Sequence, residues 1–266
     1  MGYLLDYVSL APSRTSLPLG DAEPEWIDVG SQRCQAIRLP GPATHPERSL
    51  TLLKFVGASG RAENSTNHPL EHWPEFAGDV WSINPPGYGN SPGRASLKTI
   101  VPTALALYDR VAARSKGKIM VMGTSMGAAT AMAVASQRPV AGMLLRDIPQ
   151  IRRVIAQRFG WWTLGLATLS ARRVPESLNA IAAATRCQTP ALFITSGRDR
   201  IVPINIQRDV ISAYGGPHQV VHFPQADHGE MPQEGDLPPY FEALDWLRNQ
   251  ISEARRDRVA APADVG

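Results

Sequence analysis

KIMVMGTSMGAA, Lys118 to Ala129, joins a short apolar run to an alanine-rich one through Gly123-Thr124-Ser125-Met126-Gly127. Four to eight apolar residues before a glycine read as a buried strand, and the small residues after it as a buried helix, so the stretch is predicted as strand, sharp turn, helix. Ser125 then stands at the tip of a turn whose backbone occupies a sparsely populated conformation. Glycines two positions to either side let strand and helix pass closely without a Cβ clash. A serine held this way presents its hydroxyl above the sheet as a candidate nucleophile. The plainer alternative is a serine favoured at a helix N-terminus.

Outward from this stretch, strands and helices alternate. Apolar runs predict strands at Trp26–Val29, Arg33–Leu39, Leu50–Val56, Asp79–Ile83, Val140–Leu145, Pro190–Thr195 and Gln219–Phe223. The first two, separated by Gly30 and Ser31, read as an antiparallel hairpin at a sheet edge. Helical spacing of apolar residues predicts helices from Leu97 to about Lys116, Ile204 to Tyr214 and Tyr240 to Arg255, and residues Glu63–Phe76 are expected to hold a short helix interrupted by Pro69 and Pro74. This order specifies a doubly wound, mostly parallel sheet, in which ligands bind beyond the carboxyl ends of the strands. The loops Gly57–Gly60, Pro85–Gly93, Arg198–Pro203 and Ala226–Glu230 all follow such ends, as the turn at Ser125 does.

The 266 residues fit one large domain, and 43% hydrophobic with 19% charged residues is ordinary for a globular protein. Residues 1–24, with Pro12, Pro18 and Pro24, read as an irregular arm whose packing the sequence leaves open. Residues 25–256 form the domain, with a helical cap inserted at about 150–186, and 257–266 read as a flexible tail. No apolar run reaches membrane-spanning length and MGYLLDYVSL has no basic leader, so a cytoplasmic protein without integral membrane association is expected. The net charge of +3 comes from scattered arginines, which argues against a nucleic-acid partner. Cys34 and Cys187 have no metal-ligand spacing. No phosphate-binding loop is present, so neither metal nor cofactor is expected. Nothing in the sequence sets an oligomeric state.

A serine hydroxyl needs a neighbouring base, itself oriented by a third group. Downstream the chain offers Asp199 in SGRDRIVP and His228 in ADHGE, each just past an apolar strand. Asp199 could instead be a turn residue, with Asp147 as the acid. His222 competes with His228 but lies inside the apolar run VVHF, while His45, His68, His72 and His218 are expected in loop or helix segments.

Together GTSMG, SGRDRIVP, ADHGE and the loop NPPGYGNSPG resemble the signatures of the α/β-hydrolase superfamily, from the first predicted strand to the last helix. The nearest resemblance is to its small serine hydrolases, esterases and serine-aminopeptidase-like proteins. It implies an α/β-hydrolase fold with Ser125 as nucleophile, Asp199 as acid and His228 as base. Two backbone N–H groups would form the oxyanion hole, one from Met126 and one from the loop after the third strand, assigned to Ala58. At that loop many relatives carry His-Gly where this chain carries Val56-Gly57. The expectation is a cofactor-independent serine hydrolase cleaving an ester or thioester of a small acyl substrate, with Phe159, Trp161 and Trp162 of the cap lining a hydrophobic pocket. A small-peptide peptidase or amidase, and a non-catalytic binding protein on the same fold, are the alternatives.

Overall fold

A computed structural model of the chain describes residues 6, 9–15, 17–42, 50–76, 78–159 and 171–260. Eight strands form one sheet: β1 (Glu23–Val29), β2 (Gln32–Leu39), β3 (Leu50–Phe55), β4 (Val80–Ile83), β5 (Lys118–Thr124), β6 (Gly142–Arg146), β7 (Ala191–Ser196) and β8 (His218–Phe223). Their order is β1-β2-β4-β3-β5-β6-β7-β8. β1 pairs antiparallel with β2, and β2 with β4, while every other pairing is parallel. The expected edge hairpin is therefore present, its first strand beginning at Glu23, three residues before the expected Trp26. β6 and β7 are buried along their whole length, as strands covered on both faces must be.

Among the described residues, the helices covering the sheet are α1 (Leu97–Ala112), α2 (Met126–Ala135), α3 (Ile151–Phe159), α4 (Ala180–Ala184), α5 (Ile204–Ser212) and α6 (Leu237–Ala260). Helix α2 is apolar all round because it lies wholly inside, with every residue from Met126 to Val134 buried. Residues of α1 to α5 join one core layer; Tyr240, Leu244, Leu247 and Ile251 of α6 join the other. Of the cap expected at 150–186, α3, a short turn at Glu176–Leu178 and α4 are described. Among the described residues no helix is long and apolar enough to cross a membrane.

Three expectations are corrected. The helix expected within Glu63–Phe76 is instead three single turns, Ala62–Asn64, Leu70–His72 and Pro74–Phe76. Pro69 and Pro74 break an α-helix here, and Leu70, Trp73 and Phe76 recur at the three-residue period of 3₁₀ turns, all three buried in the α6-side core. His218 opens β8, where a loop or helix was expected. The last helix, expected over Tyr240–Arg255, runs from Leu237 to Ala260.

The arm packs on the domain. Leu10 is fully buried in the core on the α1 side, and the Asp6 carboxylate accepts from the Ser96 hydroxyl at 2.9 Å, at the N-terminus of α1. A carboxylate is favoured there by the helix dipole.

Candidate active site

Strand β5 ends at Thr124, and Ser125 follows with φ of 58°. A side chain at such φ is strained, so surrounding packing must impose it. Its neighbours supply that packing. A Cβ added at Gly123 would lie 2.2 Å from the Gly127 carbonyl, and one added at Gly127 would lie 2.0 Å from the Phe55 carbonyl. Strand β5, helix α2 and the end of β3 thus meet with no room for a side chain. Ser125 makes no capping hydrogen bond to α2, which removes the plain N-cap reading, and its hydroxyl has no hydrogen-bond partner among the described residues.

The loop after β7 carries Asp199, buried at 6% exposure. Its two carboxylate oxygens make different contacts. One carboxylate oxygen, Oδ1, accepts from the backbone N–H groups of Ile201 and Val202, each at 2.8 Å, and fixes the turn. The other, Oδ2, accepts from His228 Nδ1 at 2.6 Å and from Gln207 Nε2 at 3.3 Å. His228 stands on the loop after β8. The competing His222 remains in β8, its Nδ1 2.9 Å from the Thr195 hydroxyl.

Asp147 lies 4.0 Å from His228 Nδ1, too far for a hydrogen bond, so Asp199 and not Asp147 is hydrogen-bonded to the imidazole. Asp147 has a different position in the site. It is fully buried after β6 with φ of 49°, and its Oδ2 accepts from the Gly229 N–H at 2.8 Å, tethering the histidine loop. Burial pushes its carboxyl above the usual carboxylate range, opposed in part by the Gly229 hydrogen bond. Its Oδ1 has no hydrogen-bond partner among the described residues, and Arg146 Nε comes no nearer to Oδ2 than 3.6 Å. Sequence reading had weighed Asp147 only as a replacement acid; no local signal points to a tether 82 residues away.

These loops converge on Ser125. The Ser125 N–H donates to the Arg146 carbonyl at 2.9 Å, next to Asp147. A Cβ at Gly229 would touch the Thr124 methyl at 3.7 Å, and one at Gly57 would touch Ser125 Cβ at 3.7 Å. The β3 loop, the serine turn and the histidine loop therefore share one place at the carboxyl ends of the strands.

Around that place two sets of backbone donors are open. The first N–H groups of a helix have no intrahelical acceptor, and Met126 opens α2. In the β3 loop the Ser59 N–H donates to the Leu10 carbonyl at 2.7 Å and the Gly60 N–H to the Gly57 carbonyl at 3.0 Å. That leaves Gly57 and Ala58 as the loop's remaining donors, and excludes Ser59. Trp161 and Trp162 lie outside the described residues, as does the side chain of Phe159. Two groups of described residues bring three ligand-type atoms within 4.8 Å and could hold a cation: His68, Glu71 and His72, and Asp147, Asp199 and His228. In the second, the His228–Asp199 hydrogen bond already occupies the nitrogen and oxygen a cation would need.

No family model matches the chain. Curated proteins from two strains of Mycobacterium tuberculosis, both described only as uncharacterized, are 32% identical over 148 residues, 54% of this chain and 50% of theirs. The chain thus spans about half the length of the curated relatives it matches. Among solved structures, acetyl xylan esterase 1 from Thermoanaerobacterium superposes with a TM-score of 0.66 at 17% identity, over 88% of this chain and 86% of that one. Est1E from Butyrivibrio proteoclasticus, with ferulic acid bound, gives 0.67 at 15% identity, over 86% and 99%. The acylaminoacyl peptidase of Pyrococcus horikoshii gives 0.60 at 13% identity, over 79% of this chain and 38% of that one. With this strand order, the serine turn after β5 and these likenesses, the chain has the α/β-hydrolase fold.

Proposed function

We propose that the chain is a cofactor-independent serine hydrolase of small carboxylic esters or thioesters, working through an acyl-enzyme. The observation that carries this reading is the 2.6 Å hydrogen bond from His228 Nδ1 to Asp199, on loops that flank a strained Ser125 with no capping role. With Nδ1 engaged, Nε2 is the nitrogen left to act as base. In this mechanism His228 removes the Ser125 proton as Oγ attacks the carbonyl carbon, then returns it to the departing alcohol or thiol. Asp199 holds the imidazole in the required tautomer and favours the imidazolium. The Met126 and Ala58 amides stabilise the developing oxyanion. Water activated by His228 then releases the acyl group and restores Ser125. The esterases among the structural neighbours support the same class of reaction.

A peptidase reading would want an acidic residue in the cap to hold a substrate amine. Glu176, the acid available there, is exposed, bonded to Asn179 at 2.6 Å and paired with Arg152 at 2.9 Å, which favours the ester reading. Hydrolysis of short p-nitrophenyl esters by wild type and Ser125→Ala tests the proposal. Wild type is expected to turn over and the variant to lose about 10⁴-fold or more in kcat. Equal rates, or failure of a fluorophosphonate probe to label Ser125, would sink it.

A further inference from the structure

The back of the oxyanion loop is closed by the N-terminal arm. The Leu10 carbonyl accepts two hydrogen bonds, from the Ser59 N–H at 2.7 Å and from the buried Tyr88 hydroxyl at 2.8 Å. The Leu10 side chain has no exposed surface and packs in the same core as Phe55, Tyr88 and Met126. Further along the arm, the Ser13 carbonyl accepts from the Gly89 N–H at 2.9 Å, and Arg14 Nε donates to the Gly87 carbonyl at 3.2 Å. Arg61, just past the loop, donates to the Thr15 carbonyl and pairs with Glu63 at 2.5 Å, the two side chains 4% and 2% exposed. Glu63 in turn accepts from Asn84 at 2.9 Å. Seven arm residues, Ser9 to Thr15, therefore strap the β3 loop to the loop that follows β4.

The geometry of the peptide group gives this strap a role. The C=O of Gly57 and the N–H of Ala58 belong to one plane and point in opposite directions. The Gly60 N–H holds that carbonyl at 3.0 Å and so aims the Ala58 N–H away from the turn. In the next plane the Ala58 carbonyl accepts from the neighbouring Ser59 hydroxyl at 2.6 Å, while the Ser59 N–H donates to Leu10, and Ser59 has φ of 58°. Among the described residues, Leu10 is thus the one hydrogen-bond partner outside Gly57-Ala58-Ser59-Gly60 that ties this second plane to the rest of the protein.

We infer that the arm is a positioning element of the oxyanion hole, with the Leu10 carbonyl setting the peptide plane beside Ala58 and Tyr88 holding that carbonyl in place. The inference rests on the serine hydrolase reading. Loss of one oxyanion donor costs about 10²- to 10³-fold in kcat, so a donor loosened but still present should cost about tenfold.

Leu10→Ala removes the buried anchor, and Tyr88→Phe removes one donor while keeping the ring. Both are expected to lower kcat on a p-nitrophenyl ester with KM changed less than about twofold, and to slow fluorophosphonate labelling of Ser125 in parallel, the signature of an interaction made mainly in the transition state. Leu10→Met, which refills the site, should restore kcat. Amide exchange read on a peptide spanning residues 56–60 should be slow in wild type and faster in Leu10→Ala, a readout that stands if the alanine variant is too unstable for kinetics. Wild-type kcat in both variants with a lowered Tm would make the arm purely structural and overturn the inference alone, as would fast exchange of that peptide in the wild type. An enzyme inert with or without Ser125 would overturn the hydrolase reading and this inference with it.

Discussion

Asp199 and His228 stand on loops leaving neighbouring parallel strands and are joined directly by a 2.6 Å hydrogen bond, whereas Ala58 stands on a loop held from outside the sheet, by the arm at Leu10 and by Tyr88. The proposed acid–base half is built by sheet geometry: once β7 and β8 pair in register, Thr195 with His222 and Ser196 with Phe223, their loops emerge side by side. The oxyanion half depends on contacts between segments 49 and 78 residues apart. One half should therefore fail through a single side chain, and the other through its backbone supports.

The sharpest test of the acid–base half compares its two buried carboxylates. Asp199→Asn keeps the shape but favours the wrong imidazole tautomer, so kcat is expected to fall about 10⁴-fold, as for the acid of other serine triads. Asp147→Asn retains an oxygen that can accept from the Gly229 N–H, and kcat should fall less than about tenfold. Steady-state kinetics of the two variants decides: similar losses would mean the acid role is shared, and a larger loss in Asp147→Asn would transfer it.

Where the halves touch, Gly127 is the hinge of the comparison. A Cβ there would meet the Phe55 carbonyl at 2.0 Å, and backbone cannot rotate away as a flexible side chain could. Gly127→Ala should therefore push the β3 end from α2, separating the two oxyanion donors. A kcat loss of about 10²-fold or more is expected, with a clear fall in Tm. Wild-type kcat and Tm together would mean the halves are not mechanically joined at this contact.

The same contrast governs what could be read from the sequence. The serine turn, Asp199 and His228 were legible because each belongs to a local pattern: an apolar run for a strand, then small, polar or turn-forming residues at its carboxyl end. The assignment to Ala58 narrowed only once Ser59 and Gly60 were found to be committed elsewhere. Leu10 was illegible because one leucine in an aperiodic, proline-bearing arm gives no signal of the core it enters. For residues Glu63–Phe76 the interruption at Pro69 and Pro74 was legible, but a spacing of three among Leu70, Trp73 and Phe76 fits either a helical face or successive 3₁₀ turns, so the turn type was not.

The mildest test concerns Lys54, beneath the oxyanion half at the end of β3. Its ammonium donates to the Thr66 carbonyl at 3.1 Å and the His68 carbonyl at 3.2 Å, pinning the segment between β3 and β4. Burial pulls its pKa down from 10.5 to about 8, only partly opposed by the Glu71 charge. Between those values the unfolded chain binds the proton more tightly than the folded one, so stability rises with pH through this window and is lost as pH falls back through about 8. Lys54→Met lacks this dependence. Wild type should thus gain on the variant by on the order of 2 kcal/mol between pH 8 and 10.5, with a constant difference below pH 7. Thermal melts of both proteins across that range would read it. Parallel profiles would mean that the ammonium is as well solvated in the fold as in the open chain, and that the segment it pins is held by its apolar residues Leu70, Trp73 and Phe76 instead.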